Sequence, residues 1–306
     1  MALRNFILNK KIIFNLAKLI LSAILIVFLV SYLKLNSNFV SFNNANVYLI
    51  IFAIVLLPLN IFIQYKRWQI LCYTVEKSSK IIIIKSIFLG IAAGLITPLK
   101  AGEFIGRAYI LNKSKIKEYT LLSIYDRLVS MLITVFVGTL FVLVYLFPLN
   151  KIIINYFIIG IVLFFITILV IFFIIKNKHK LLEIKQIKVI IHVLTSIDVR
   201  TNIKLICLAF IFFFTYIIQF ALLLSAFNGF NNFLQFVSAG VLVFFTNTII
   251  PPVTFGEIGI REGAAVFFAN YFPYIAQTGF ASSIILFTIN VIIPSVIGLI
   301  IYLREK

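Results

Sequence analysis

Long apolar runs separated by short polar segments make up most of the chain, and they predict membrane-crossing helices. A hydrocarbon layer about 30 Å thick needs about 20 apolar residues at 1.5 Å per helical residue. The pattern predicts six full spans, near residues 16–33, 47–65, 124–147, 152–175, 204–227 and 280–303. Strands explain nothing in this pattern, so the predicted fold is an all-α polytopic membrane protein.

Two more apolar runs differ from the spans, because each ends in a Pro/Gly turn and continues as a short second leg. The apolar runs cover residues 81–96 and 233–250, and the runs with their second legs cover 81–111 and 233–268. A second leg of this length reaches roughly 14–18 Å as a helix, about half of the hydrocarbon thickness. We predict two re-entrant hairpins, although two full spans in place of either hairpin leave the charge distribution unchanged.

The turns of the two hairpins share one sequence skeleton. Residues 98–107 read PLKAGEFIGR and residues 252–261 read PVTFGEIGIR, so both have proline, three residues, Gly-Glu, three residues and arginine. The repeat predicts a duplicated unit, with one half at about 12–175 and the other at about 203–303, inside a single membrane domain. Paired interruptions of apolar segments in two halves indicate a substrate site near the bilayer midplane.

The charges suggest how the chain is oriented. The sequence is 63% hydrophobic and only 12% charged, which excludes a soluble core, and its formal net charge is +18. Placing both termini in the cytoplasm puts most of the 27 lysines and arginines on the inner side, as the positive-inside rule requires. The hairpins then enter from opposite sides, which predicts an inverted repeat, and the basic segment 176–203 is predicted to lie on the inner surface as an amphipathic helix.

Acidic residues are rare, and four of the nine are predicted at membrane depth beside basic partners. Glu103 and Arg107 are four residues apart, as are Glu257 and Arg261, so each pair can meet on one helix face. Asp126-Arg127 begins a span and is either an interfacial pair or part of a central cavity. The remaining candidates are Glu262, which could pair with Arg127 or Lys100, and Lys100 itself.

Two interpretations of these motifs stay open at this stage. The pairs could simply neutralise charge inside the membrane. Alternatively, Arg107 and Arg261 hold a phosphate with help from Lys100, freed backbone N–H groups at the helix breaks attract the anion, and the glutamates orient the arginines or carry a coupling proton. Cys72, Cys207, His179 and His192 have no neighbouring ligand set, so no metal or cofactor is expected.

The motif residues resemble those of the flippase-like integral membrane family named after the transmembrane region of lysylphosphatidylglycerol synthase. The resemblance rests on Thr97–Phe104 with Arg107, on Asp126-Arg127-Leu128, and on 251–262, and it covers nearly the whole chain. The family pattern usually has Gly-Gly where Gly256-Glu257 stands and commonly glutamate at the position of Asp126. The resemblance implies a bacterial inner-membrane protein that moves polar lipids between leaflets or serves lipid or glycan modification. The separate soluble domain that transfers the aminoacyl group in the namesake enzymes is not expected, since the sequence ends at Lys306.

The leading hypothesis is therefore a non-enzymatic lipid carrier for an anionic phospholipid or a polyprenyl-phosphate-linked lipid, working through the central cavity. One alternative is an accessory membrane subunit for a separate synthase or transferase. Another is a membrane-embedded enzyme of lipid metabolism with Glu103 or Glu257 as general base. No nucleic-acid partner is expected.

Overall fold

A computed structural model describes residues 45–97, 100–146, 197–250 and 259–305, and every regular element in these ranges is a helix. The first half contains α1 (Val47–Cys72), α2 (Lys80–Ile96), α3 (Ala101–Tyr109) and α4 (Ile116–Phe141). The second half contains α5 (Val199–Asn228), α6 (Phe233–Ile249), α7 (Ile260–Phe268), α8 (Ala276–Phe287) and α9 (Ile293–Arg304). The predicted spans 16–33 and 152–175 lie outside the described residues, as does most of the segment 176–203.

Four helical stretches within the described ranges are long and apolar enough to cross a membrane. They are Val47–Cys72, Lys113–Tyr145, Val199–Asn228 and Ala276–Arg304. Each corresponds to one of the predicted spans, so the all-helical membrane fold is confirmed in outline. The total of six spans and the re-entrant placement of the hairpins stay predictions.

Several predicted boundaries are wrong because helices continue past the apolar run. α1 extends beyond residue 65 to Cys72, so Arg67 belongs to the helix rather than to a loop. α4 begins at Ile116 instead of 124, and α5 begins at Val199, which takes the last residues of the predicted surface segment 176–203 into a long helix. Polar residues at a helix end can stay helical when the neighbouring turn continues to pack.

The two halves repeat one order of helix lengths: a long helix, a helix of 17 residues, a helix of nine residues, and a long helical stretch. α1 and α5 pack against each other and run antiparallel, since the Asn46 N–H donates to the Ala226 carbonyl at one end and Arg67 lies over the Phe212 ring toward the other. α2 packs on α9 and α6 packs on α4, so each half contributes equivalent contacts to the other. The first helices of the two halves, α1 and α5, therefore run in opposite directions, and the inverted repeat as a whole stays a prediction.

α2 and α3 form a tight helical hairpin, and α6 and α7 form its counterpart with residues 251–258 outside the described range. Glycines allow the close approach in the first hairpin. A Cβ at Gly94 would lie 3.1 Å from the Glu103 Cβ, and one at Gly90 would overlap the Arg107 Cγ. This packing brings α3, with its two charged residues, against α2.

The last helical stretch is interrupted by a π-helical turn, Thr288–Ile292, between α8 and α9. Pro294 explains the interruption, because proline has no N–H to donate to the carbonyl four residues earlier and its ring clashes with that carbonyl. The carbonyl belongs to Asn290, whose buried side chain points into the protein interior. The turn thus places a polar side chain between the two halves.

Candidate functional site

A cavity of about 180 Å³ lies where the two hairpins meet α1, α4, α5 and the π-helical turn. Seven charged residues line it: Arg67, Lys100, Glu103, Arg107, Asp126, Arg127 and Arg261. Six of these are the predicted site residues, which come from both halves of the chain. Glu262 lies directly behind Arg261, and the predicted site residue Glu257 lies outside the described residues.

The first-half charges form a continuous chain of ion pairs. The Asp126 carboxylate accepts from Arg67 at 2.5 Å and from Arg107 at 3.1 Å. Arg107 also donates to Glu103 at 2.6 Å, which confirms the predicted pairing four residues apart. Arg67, Arg107 and Asp126 are buried, and the guanidinium groups of the two arginines also lie over the rings of Phe212 and Trp68. An unpaired charge would be costly here, so each arginine is held by a carboxylate and an aromatic face.

The predicted pair Glu257–Arg261 stays a prediction because Glu257 lies outside the described residues, whereas the predicted partner of Glu262 is wrong. Glu262 pairs with its neighbour Arg261 at 2.6 Å, and not with Arg127 or Lys100. The second Glu262 carboxylate oxygen accepts the Gly259 N–H at 2.7 Å, and Arg261 Nε donates to the Ser283 hydroxyl at 2.9 Å. The backbone turn at Gly259 has φ of +101°, which glycine tolerates and other residues rarely adopt. Capping by Glu262 fixes this carboxylate beside Arg261, which is why neighbours pair here.

Most of the described charges around the cavity are paired with one another. Arg67, Asp126, Arg107 and Glu103 sum to zero, as do Arg261 and Glu262, and the cations Lys100 and Arg127 also line the cavity. Lys100 directly precedes α3 and has φ of 52°, a left-handed conformation that is uncommon for a residue with a side chain. The turn between the legs of the first hairpin therefore holds a lysine at the cavity wall at some cost in backbone energy.

Three backbone N–H groups near the starts of α3 and α7 already have acceptors within the described part of the chain. The Gly102 N–H donates to the Thr97 hydroxyl at 2.7 Å and the Glu103 N–H donates to the Lys100 carbonyl at 2.9 Å. The Gly259 N–H is occupied by Glu262. The prediction that backbone amides at the helix breaks bind an anion is therefore wrong for these three groups, whereas the described lining of the cavity does offer cationic side chains as donors.

Unused donors remain on two of the arginines. The Nε atoms of Arg67 and Arg107 are buried and have no acceptor among the described residues. A buried donor without a partner costs about 1–3 kcal/mol. An oxygen-rich ligand or water in the cavity region would satisfy such groups.

Arg67 was missed as a site residue because it follows the apolar run of α1 beside Lys66 and was counted among loop cations. The apolar residues after it, Ile70, Leu71 and Cys72, were the available signal that the helix continues.

A second missed feature is a buried amide cluster of Asn60, Gln219 and Asn290. Asn60 Nδ2 donates to Gln219 Oε1 at 2.6 Å and to Asn290 Oδ1 at 3.0 Å, and Asn290 also lines the cavity.

Comparison with known proteins agrees with the motifs on which the resemblance was based. No curated protein sequence and no solved structure matches the chain. A family model described as the lysylphosphatidylglycerol synthase TM region matches residues 15–298, which is nearly the whole chain. Three of the four apolar helical stretches, most of the fourth, and the charged cavity lie within the matched residues. The chain is a membrane protein, and it belongs to the lysylphosphatidylglycerol synthase TM region family.

Proposed function

We propose that the protein moves a phosphate-bearing polar lipid between the leaflets of a bacterial-type inner membrane through the central cavity. The observation that carries this proposal is the convergence of charged residues from both halves on one cavity, whose described lining has five basic and two acidic residues. A lipid phosphate carries the opposite charge. Membership of the family supports a role in lipid handling.

The size of the cavity suits part of a lipid. Its volume of about 180 Å³ is below the roughly 300–1,000 Å³ of typical ligand pockets. A headgroup phosphate would enter it while the acyl chains stay in the surrounding bilayer. Lys100 and Arg127 would attract the phosphate, and Arg107 and Arg261 would hold it through donors that their carboxylate partners leave available.

Movement between leaflets would follow from the antiparallel halves. An inverted repeat lets one site open alternately to either side when the halves rock against each other. With both termini in the cytoplasm, the two hairpins would enter the membrane from opposite faces and meet at the cavity. The proposal assigns no bond-making step to the protein, so we infer that it is a carrier and not an enzyme.

Leaflet exchange in proteoliposomes tests the proposal. The measurement follows acyl-labelled phospholipids by quenching of the outer leaflet, for the wild type and a Lys100→Gln/Arg127→Gln variant reconstituted in matched folded amounts. Each lost charge-assisted contact is worth about 1.5–3 kcal/mol, so we expect exchange to slow by at least about tenfold. Lys85→Gln is the control, because Lys85 pairs with Glu305 at the surface outside the cavity.

Two outcomes would oppose the proposal. Unchanged exchange in the double variant would remove the cavity cations from the mechanism. Wild-type exchange no faster than in empty vesicles, across anionic, zwitterionic and polyprenyl-phosphate lipids, would favour the second candidate function. That candidate is a membrane partner of a separate synthase or transferase, and it is suggested by the family description, which names the membrane region of a synthase.

A further inference from the structure

A second concave site lies on the outer face of the helical bundle, between α1, α2 and α9. Its volume is about 630 Å³, and it shares no lining residue with the central cavity. Its walls are formed mainly by aliphatic and aromatic side chains and by two prolines: Leu57, Pro58, Ile61, Phe62, Tyr65, Ile84, Phe88, Pro294 and Ile297. We call this site the lateral groove.

The lateral groove follows the helices along the direction of a lipid chain. Its α2 residues, from Lys80 to Phe88, cover about 12 Å at 1.5 Å per residue, and its α1 residues are of similar extent. The side chains of Phe62, Ile84 and Ile297 are 53%, 38% and 40% exposed. In a membrane-spanning bundle such an outward-facing apolar surface contacts acyl chains.

Two lysines, Lys66 and Lys80, line the groove at the end next to the turn between α1 and α2. Lys66 Nζ lies 5.4 Å from the centre of the Phe62 ring and 5.5 Å from that of Tyr65. Within the described part of the chain, neither lysine forms an ion pair, and no acidic residue lines the groove. The groove thus combines an apolar channel with two positive charges at one end.

We propose that the lateral groove binds one anionic phospholipid, with an acyl chain along the apolar walls and the headgroup phosphate at Lys66 and Lys80. The charge pattern favours this occupant over a neutral lipid, because only an anionic lipid has a net charge that complements the two lysines. The proposal concerns a second lipid site and does not depend on transport through the cavity. Its test therefore measures binding alone.

A tryptophan placed in the groove reports the lipid that touches it. The chain has one tryptophan, Trp68, which is fully buried, so the wild type sets the background fluorescence. Ile84→Trp is reconstituted in phosphatidylcholine vesicles containing increasing fractions of phosphatidylglycerol brominated on its acyl chains, and the converse series uses brominated phosphatidylcholine. Ile211→Trp, at a position on α5 that is 52% exposed and outside the groove, is the matched control.

A basic residue near an anionic membrane surface raises the association constant of an anionic lipid about fivefold. Lys66→Gln and Lys80→Gln should therefore each lower the preference for phosphatidylglycerol, as measured by quenching at Ile84→Trp, by about that factor. The preference at Ile211→Trp should stay unchanged in both variants. Three results would overturn the proposal: equal quenching by both lipids at Ile84→Trp, a preference that survives the loss of both lysines, or no quenching at all. The last result would mean that another segment or molecule covers the groove.

Discussion

Substitutions at the buried pair Arg261–Glu262 can show whether Arg261 only neutralises a buried carboxylate or also binds the lipid. The side chain of Glu262 is 1% exposed, and its carboxylate contacts Arg261, the Gly259 N–H and the Ser283 hydroxyl. Arg261→Met removes the charge but keeps an apolar side chain that can pack on Phe287, whose ring lies 5.3 Å below the guanidinium. The change leaves a buried carboxylate without its counter-ion.

Removing one partner of a buried ion pair typically costs about 3–5 kcal/mol, whereas replacing both with neutral residues is often nearly neutral. We therefore expect Arg261→Met to lower the free energy of unfolding by about 3 kcal/mol or more. The double variant Arg261→Met/Glu262→Gln keeps an acceptor for the Gly259 N–H and should lose roughly 1 kcal/mol. The double variant should thus be about 2 kcal/mol more stable than Arg261→Met alone, which means that the two changes are not additive.

Unfolding in mixed micelles, followed by tryptophan fluorescence, measures the stability of the wild type, both single variants and the double variant. The same proteins are then reconstituted for the leaflet-exchange assay. If Arg261 holds the lipid phosphate, the double variant will be folded and slow in exchange. A double variant that is stable and exchanges lipid at the wild-type rate would refute the lipid-binding role. A single variant as stable as the double variant would refute the argument from the buried charge.

Four further substitutions test three other features of the structure. Gly106→Ala would place a Cβ 2.8 Å from the Leu89 carbonyl oxygen, so it should lower the free energy of unfolding by about 1–2 kcal/mol. The control is Gly263→Ala, whose Cβ would meet nothing within 4 Å. It should be neutral or stabilising in the same micelle assay. Lys100→Gly removes the backbone strain of a lysine in the left-handed conformation, so it should raise the free energy of unfolding by up to about 1 kcal/mol. It should also slow lipid exchange. A lower free energy of unfolding would contradict the inferred strain. Hydrogen bonds from Asn112 and Lys115 lower the pKa of the Glu76 carboxyl below its ordinary value of 4.5. The stability from these contacts is present above pH 4.5 and is lost as the pH falls through the lowered pKa, so melting temperatures of Glu76→Gln should show a smaller loss in acid than the wild type.

The parts of the fold that follow from local periodicity could be predicted from the sequence. The helices α2 and α6 match the predicted apolar runs closely, because prolines follow each run in the sequence, at Pro98 and Pro251, and interrupt the helical pattern. The pairing of Glu103 with Arg107 follows from helix geometry alone. Asp126 joins Arg107 to Arg67 because of how α1, α3 and α4 pack together. The spacing of residues along the sequence gives no information about that packing.

Two failures have specific physical causes. Arg67 was assigned to a loop because a charge after an apolar run usually marks the membrane surface, yet Asp126 and Phe212 compensate its burial within the bundle. Glu262 was expected to pair with a distant cation because adjacent residues on a helix, such as Arg261 and Glu262, point in different directions. It sits at the first turn of α7, where its carboxylate caps Gly259 and the long arginine side chain can still reach it.

The polar residues of the interior divide into neutral and charged groups with different positions. Asn60, Gln219 and Asn290 join α1, α5 and the π-helical turn in a region where Asn60 and Gln219 are fully buried, and the Gln219 amide also donates to the Ala53 carbonyl at 2.7 Å. Neutral amides cost far less than charges when buried away from water, so they can link helices of the two halves without counter-ions. Charged residues of both halves border the cavity, which Asn290 also reaches, and water or a ligand can solvate them there. Neutral amide contacts between helices of the two halves therefore lie beside an ionic cavity, and the proposed alternating-access carrier would use both features if its halves are to move while a lipid phosphate stays bound.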